Sequence, residues 1–412
     1  MSCKREIAVV ELFAGVGGFH LGLSRASSLF SVVFANQWEP GKKPANQYAF
    51  HCYEHHFGDK TVCSNVDINI AKKDVPDHDL LVGGFPCQDY SVAQGTNARG
   101  IKGKKGVLWW IIKDIISSKQ PKFVLLENVD RLIRSPHEQR GRDFAIILRS
   151  FFDEGYNLEW RIINAADYGC FQRRRRIFIF ATKASNPFFK EDLVELRETV
   201  LNTGFFASIF PIFDFKSSTI TNHDISLAKN SLEEISAHFS GNFENAGIMK
   251  NGNVLTVKVL PRPQEAKKLS EILESGSVDK KYFINEKKAA KFSKLKDNKR
   301  IPKFTPDLEI YWYSEGRMSF PDPMDMPSRT ILTSEGTISR STHVIVDKQT
   351  GTNRLLTPLE CERLNGFDDN WTDTGMSETY RYFCMGNALV VPLVERMGRE
   401  IARIWEEALD DK

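Results

Sequence analysis

No C-x-x-C pair occurs among the seven cysteines of this 412-residue sequence. Cys3, Cys52, Cys63, Cys87, Cys170, Cys361 and Cys384 are scattered and odd in number, which argues against a disulfide framework and a four-cysteine zinc site. The cluster His51-Cys-Tyr-Glu-His-His56 with Cys63 matches no closed four-ligand spacing either, so no metal is expected. Long apolar runs are also lacking. Nothing approaches the roughly 18 residues a membrane helix needs, and the apolar strand after Glu6 is too short for a secretory signal. A soluble protein of a reducing, cytoplasmic compartment is expected. Net charge is small: 56 Lys plus Arg against 53 Asp plus Glu leaves +3, which permits nucleic-acid binding without demanding it. Hydrophobic residues at 41% and aromatics at 11% exclude a disordered or fibrous chain, and the length allows two or three domains.

What is present begins with alternation. Short apolar runs at Ile7 to Leu12, Ser31 to Asn36, Leu80 to Gly84, Phe123 to Glu127 and Ile177 to Ala181 read as strands. Helix-period segments at Gly18 to Ser27, Leu108 to Ser117 and Phe144 to Glu154 lie between them. This pattern predicts a parallel sheet with crossover helices, whose ligands bind at the carboxyl ends of the strands. After about residue 185 the alternation fades, and Lys250 to Lys303 holds 15 Lys plus Arg against 6 Asp plus Glu. That run suits a solvated helical face or a phosphate-contacting surface. Leu393 to Leu409 carries apolar residues at helical spacing and predicts a packed amphipathic helix.

Candidate chemistry falls at the strand ends. The first strand runs into Phe13-Ala-Gly-Val-Gly-Gly18, but His20 stands where a dinucleotide fingerprint would need its last glycine. A tight glycine turn preceded by Phe13 suits instead a cofactor with a carboxylate-bearing tail and an adenine, such as S-adenosylmethionine; a purely structural turn is the alternative. Downstream, Trp38 is a candidate to stack on adenine, Glu39 to hold ribose hydroxyls, and Asp67, beside Ile68, to meet the adenine amine. An acid after a strand is equally a helix cap. Asp79-Leu-Leu-Val-Gly-Gly-Phe-Pro-Cys87 delivers a thiol on a strand–turn, although a cysteine taken alone is more often a small buried hydrophobe. Glu127 ends another buried strand, where a carboxylate must be paired, neutral or functional. Gln172-Arg-Arg-Arg-Arg176 precedes a further strand, and arginine forks suit phosphate and pyrimidine oxygen.

In this order the motifs resemble those of the bacterial cytosine-5 DNA methyltransferases of type II restriction-modification systems. The resemblance runs through Phe13–Gly18, Trp38-Glu39, Asp67, Gly84-Phe-Pro-Cys-Gln88, Glu127-Asn-Val129, Gln172-x-Arg-x-Arg176, Arg354-Leu-Leu-Thr-Pro358 with Glu360, and Gly386-Asn-Ala388 with Pro392. It implies a Rossmann-like α/β methyltransferase domain with a mostly parallel sheet and helices on both faces, plus a smaller target-recognition domain. Expected boundaries are 1–184 for the catalytic part, 185–370 for the small domain, with recognition in about 185–330, and 371–412 for a segment returning to the catalytic part. The implied chemistry is attack of Cys87 on carbon 6 of a flipped cytosine, with Glu127 supplying a proton at ring nitrogen 3 and Arg174 and Arg176 holding the base. Methyl transfer from S-adenosylmethionine to carbon 5 completes it.

The implied cofactor contacts are Phe13, Ala14, Gly15, Gly17, Gly18, Trp38, Glu39, Asp67, Ile68, Phe85, Asn387 and Ala388. The implied DNA contacts are Gln88, Ser91, Arg99, Gln172 and Arg340, with Gln94 to Gly106 as a closing loop. Gln37 occupies the place where the family often has an acid, which shifts the expected ribose contact to Glu39. Partners expected are double-stranded DNA and, functionally, a cognate restriction endonuclease, with a monomeric, bacterial cytoplasmic enzyme that touches no membrane. A transfer-RNA cytosine methyltransferase and a DNA-binding regulator are the alternatives. The sequence names neither the DNA site nor the base-contacting residues within 185–330.

Overall fold

The computed structural model describes residues 5–85, 107–184, 193–213, 225–227, 229–304 and 310–410. Five strands pair in parallel in the order β3–β2–β1–β4–β5: β1 (Ile7–Leu12), β2 (Phe30–Asn36), β3 (Val62–Ser64), β4 (Leu80–Gly84) and β5 (Phe123–Val129). Their connections include α1 (Gly18–Ala26), α2 (Tyr48–Phe57), α3 (Ile68–Ala71) and α4 (Val107–Lys119), and α5 (Arg142–Asp153) follows β5. Beyond β5 the sheet turns antiparallel. β6 (Tyr156–Asn164) and, after a short β7 (Gln172–Arg173), β8 (Arg175–Lys183) pair with each other, and β8 lies between β5 and β6. The expected α/β architecture is present, with parallel pairing within this sheet limited, among the described residues, to the first five strands.

Alternation along the strands decides which face each side chain covers. Val10, Leu12, Leu81, Val124 and Leu126 pack with Trp109 and Ile112 of α4 and Phe144 and Phe151 of α5. Their neighbours Val9, Leu80, Val82, Phe123 and Leu125 face the other way. They meet Phe19 and Leu23 of α1 and the helix Val391–Asp410 from the far end of the chain. That helix buries Leu393, Val394, Met397, Ile401 and Trp405 on one side, each contributing roughly 1.5–3 kcal/mol.

The sheet does not stop at residue 184. After α6 (Leu193–Glu198), α7 (Phe205–Ile209), β9 (Ile225–Ser226) and α8 (Leu232–His238), strands β10 (Ala246–Lys250) and β11 (Asn253–Val257) add antiparallel to β6, and β9 closes the ten-stranded sheet. The first half of the expected recognition region therefore carries strands of the main sheet. Next come α9 (Glu286–Lys296) and a separate two-stranded ribbon of β12 (Lys299–Phe304) and β13 (Ile310–Glu315). Short β14 (Ser328–Arg329), β15 (Val344–Val346) and β16 (Asn353–Leu355) lead to α10 (Pro358–Asn365), α11 (Glu378–Asn387) and the final α12 (Val391–Asp410). A third core joins this returning chain to the start. Val16, Leu21 and Cys52 pack with Ile331, Leu356, Leu364, Phe367, Trp371 and Met385. Among the described residues no helix is long and apolar enough to cross a membrane.

Candidate active site

The chain leaves β1 through a turn in which Phe13, Gly15 and Gly17 all have positive φ, at 55°, 57° and 88°. Gly17 is required twice over: its backbone is left-handed, and a Cβ there would sit 2.5 Å from the Phe57 ring. Gln37, at the end of β2, accepts the Gly15 amide at 2.8 Å, and Trp371 donates from its indole to the Val16 carbonyl at 2.8 Å. The turn is thus fixed from below by β2 and from above by a residue 355 positions away.

This turn forms one end of a cavity of about 420 Å³. Phe13, Ala14, Gly15, Gly18, Gln37 and Glu39 line that end, Asn387 and Ala388 cover it, and Gly84, Phe85, Glu127 and Arg176 line the other. Glu39 is held by its amide, which donates to Gln47 Oε1 at 2.8 Å, and by the Tyr380 hydroxyl, which donates to its Oε2. Its Oε1 is buried without a hydrogen-bond partner among the described residues. A carboxylate oxygen so placed is an acceptor in want of a donor, such as a ribose hydroxyl.

At the far end Arg176 Nε lies 2.8 Å from Glu127 Oε1, with side chains 18% and 14% exposed. The pair arises from sheet register, since β5 and β8 run antiparallel and set Val129 opposite Arg176 at the same edge. Burial pushes the Glu127 carboxyl above its ordinary value, and the Arg176 and Arg174 charges oppose that rise. Asn128, fully buried, donates from Nδ2 to the Phe85 carbonyl at 2.8 Å and accepts the Val129 amide at 2.8 Å. It thereby anchors the backbone two residues before Cys87. A further carboxyl, Glu11 in β1, also lines the cavity; burial pushes it up to about 8, opposed by the Tyr53 hydroxyl and the His20 and Phe19 amides.

The expected site residues divide into groups. Phe13, Ala14, Gly15, Gly18, Glu39, Phe85, Glu127, Arg176, Asn387 and Ala388 share the cavity, and Gly17 shapes its turn. Cys87, Gln88, Ser91 and Arg99 lie outside the described residues, as does the loop Gln94 to Gly106. Trp38 is half-buried beside the cavity without lining it. Asp67 caps α3, accepting the Asn69 amide at 3.0 Å, and Ile68 is buried in the core under the sheet.

Three further expected residues have polar groups engaged within the protein. Gln172, expected on DNA, is fully buried, with its amide nitrogen donating to Leu364 O and Asn365 Oδ1. Arg340, also expected on DNA, spends its guanidinium on the Leu295, Asp297 and Gly316 carbonyls and on Glu315. Arg174 is buried outside the cavity lining, donating to Ile331 O at 3.1 Å and Gly386 O at 2.9 Å. Gln172 and Arg174 are buried at junctions of segments and bonded to partners there, whereas Arg340 is half-buried and bonded to the chain on either side of a hairpin. Sequence reasoning passed over Glu11, Asn128 and Tyr380. Glu11 carried the signal that exposed Glu127, a carboxylate within a buried apolar strand, whereas nothing local marks Tyr380.

Comparison with known proteins agrees with this geometry. Residues 7–403 match the profile of the C-5 cytosine-specific DNA methylases. The chain is 48% identical over 411 residues to the type II methyltransferase M.Sau3AI of Staphylococcus aureus, covering 97% of this chain and 96% of that one. It is 27% identical to M1.ScrFI of Lactococcus lactis subsp. cremoris, over 97% of this chain and 79% of that protein. Among solved structures, the S. pombe Dnmt2 methyltransferase superposes with a TM-score of 0.57 at 16% identity, over 98% of this chain and 99% of the other, a likeness of fold. The chain belongs to the C-5 cytosine-specific DNA methylase family, as a type II cytosine-5 DNA methyltransferase.

Proposed function

We propose that this enzyme flips one cytosine out of a specific duplex site, methylates carbon 5 with S-adenosylmethionine as donor, and so protects that DNA from a cognate restriction endonuclease. The observation that carries the reading is the single cavity joining the glycine turn to the Glu127–Arg176 pair. The residues fit the donor: Glu39 Oε1 awaits a hydroxyl, the turn is opened by positive-φ residues, and Asn387 and Ala388 close over it. When bound, S-adenosylmethionine supplies an electrophilic methyl group.

The chain's own residues do the rest. The Cys87 thiolate forms a bond to carbon 6 of the flipped base, which opens the 5,6 double bond and concentrates electrons at carbon 5. Glu127, whose protonated form burial favours, supplies a proton at ring nitrogen 3, so that charge does not build on the ring. Arg176 fixes the Glu127 carboxyl and presents its remaining N–H groups to the base. Asn128 holds the Phe85 backbone, and with it the approach of Cys87. After the methyl group is accepted, loss of the proton on carbon 5 returns an electron pair to the ring and expels Cys87 as thiolate.

Labelled S-adenosylmethionine offered with unmethylated genomic DNA or with total RNA tests this. Label is expected on DNA cytosine within one sequence context, and label on RNA alone would overturn the reading. Cys87→Ala should abolish both turnover and the trapped adduct with 5-fluorocytosine DNA, while donor affinity stays within about threefold. Retained turnover would remove Cys87 from this role.

A further inference from the structure

A second cavity, of about 260 Å³, opens at the same edge of the sheet as the catalytic one and shares no lining residue with it. Register places the two side by side: Arg175 of β8 lies opposite Asn164 of β6, and the next residue, Arg176, lies opposite Val129 of β5. The end of β6 and the turn after it supply Asn164, Asp167 and Tyr168 to the lining. The approach to β10 and the exit from β11 supply the facing wall. Asn245 clamps those two segments together, donating from Nδ2 to the Val259 carbonyl and accepting the Val259 amide, both at 2.8 Å.

Two buried polar atoms on residues of this lining, Arg161 Nε and Asn164 Oδ1, have no hydrogen-bond partner among the described residues. Asn164 Nδ2 donates to Asp167 Oδ1 at 2.9 Å, which identifies Oδ1 as the free end of the amide. Arg161 is buried and donates from Nη1 to the Phe210 carbonyl and from Nη2 to the Val200 carbonyl, with no ion pair among the described residues. One donor and one acceptor are therefore left unsatisfied beside the Asp167 carboxylate. The rim is cationic. Arg134, Arg175 and Lys258 are exposed there; Arg134 and Lys258 have no partner among the described residues, and Arg175 engages Asp130 through Nε at 3.0 Å. With Arg161, four lining cations outnumber the two lining carboxylates, Asp167 and Glu244.

We propose that this second cavity binds a nucleotide, with an exocyclic amine of the base set inward and the phosphate at the rim. Such an amine donates to Asn164 Oδ1 and Asp167, a ring nitrogen accepts from Arg161 Nε, and Ile133, Leu260 and Pro261 give the ring apolar contact. The phosphate meets Arg134, Arg175 and Lys258. Other occupants fit less well. An inorganic anion would leave the Asn164 acceptor unsatisfied and face the Asp167 carboxylate, and an apolar molecule would leave both orphan atoms bare. Water alone is a poor match, because a site for one water needs only ~15 Å³ against the 260 Å³ present. The nucleotide is either free or the end of a DNA strand, and the recognising chemistry is the same for both.

Calorimetric titration of the full-length chain tests this, with saturating S-adenosylhomocysteine present to occupy the catalytic cavity. The probes are the monophosphates of cytidine, adenosine, guanosine and uridine, and inorganic phosphate. The nucleotides that carry an exocyclic amine should bind with Kd below about 1 mM, at least about tenfold tighter than uridine monophosphate or inorganic phosphate. Lys258→Glu alters an exposed side chain, and should weaken that binding at least about tenfold while leaving S-adenosylhomocysteine affinity and melting temperature unchanged. Asn164→Ala should erase the preference over uridine monophosphate. Competition by a single-stranded oligonucleotide, lost in Lys258→Glu, would assign the occupant to a DNA strand, and absence of competition would assign it to free nucleotide; both support the proposal. Equal affinity for uridine monophosphate or inorganic phosphate, or binding indifferent to both substitutions, would overturn it. So would no binding below about 1 mM, which would mark the cavity as filled by solvent only.

Discussion

Glu127 needs two opposed influences to do its work. Burial raises its affinity for a proton while Arg176 at 2.8 Å limits the rise. Glu127→Gln keeps a hydrogen-bond donor but has no proton to give, and should cut kcat by about 10²- to 10⁴-fold with little change in donor affinity. Single-turnover methylation measures this, and a loss below threefold would show that the proton comes from elsewhere. Glu11 obeys the same physics with a different consequence. Folding raises its carboxyl from 4.5 to about 8, so between those values the folded chain holds a proton that the unfolded chain has lost. That contribution is complete below about pH 4.5 and disappears as pH rises through 8. Glu11→Gln should therefore gain stability over the unaltered chain at pH 8, by on the order of 2–4 kcal/mol, and gain little at pH 5. Thermal melts at the two pH values decide it; an equal shift at both would rule out titration as the cause. Glu127 announced itself in the sequence by ending an apolar run. At Arg174 and Gln172, no local pattern shows that their side chains bond to carbonyls more than 150 residues away.

Among elements, β1 and β4 begin and end where their apolar runs do, because a strand buried on both faces is written as a continuous hydrophobic stretch. The central strand β6 hid itself with Glu159 and Arg161. Both are buried: Glu159 Oε1 accepts the Phe205 amide at 3.0 Å, and Arg161 donates to the Phe210 and Val200 carbonyls. Charges that read as solvent-facing in sequence here tie α7 and its preceding turn to the sheet. The start of α11's closing turn is equally unforgiving. A Cβ on Gly386 would fall 2.3 Å from the Thr333 amide nitrogen and 2.4 Å from the Leu332 carbonyl carbon, both backbone atoms. Gly386→Ala should cost about 1–3 kcal/mol and weaken donor binding, since Asn387 and Ala388 cover the cavity from the next two positions. Calorimetric titration with S-adenosylmethionine checks it, and unchanged affinity would mean that the turn adapts without moving the cover.

Over the whole molecule, strands β1, β2, β4 and β5 and helices α1, α4 and α5 were legible, but the extension through β10 and β11 was not. Those strands lie in the stretch whose alternation fades, and their place beside β6 is a long-range pairing with no local signature. The amphipathic pattern of Leu393 to Leu409 did predict α12, but not that it packs on α1 and on the sheet face behind the glycine turn. The last helix is thus part of the first core. A chain ending before Val391 should lose cooperative unfolding, and limited proteolysis should find β1 and α1 as readily cut as loops; resistance equal to the intact chain would contradict this. The cavity itself carries the same logic further, because Phe13 to Gly18 form one wall and Asn387 and Ala388 another, with Trp371 fastening the two. During synthesis the first wall emerges hundreds of residues before the second. A chain ended before Asn387, whether still being made or prematurely terminated, has the first wall of the cavity without the second. If the proposed function holds, methylation requires molecules translated past Ala388.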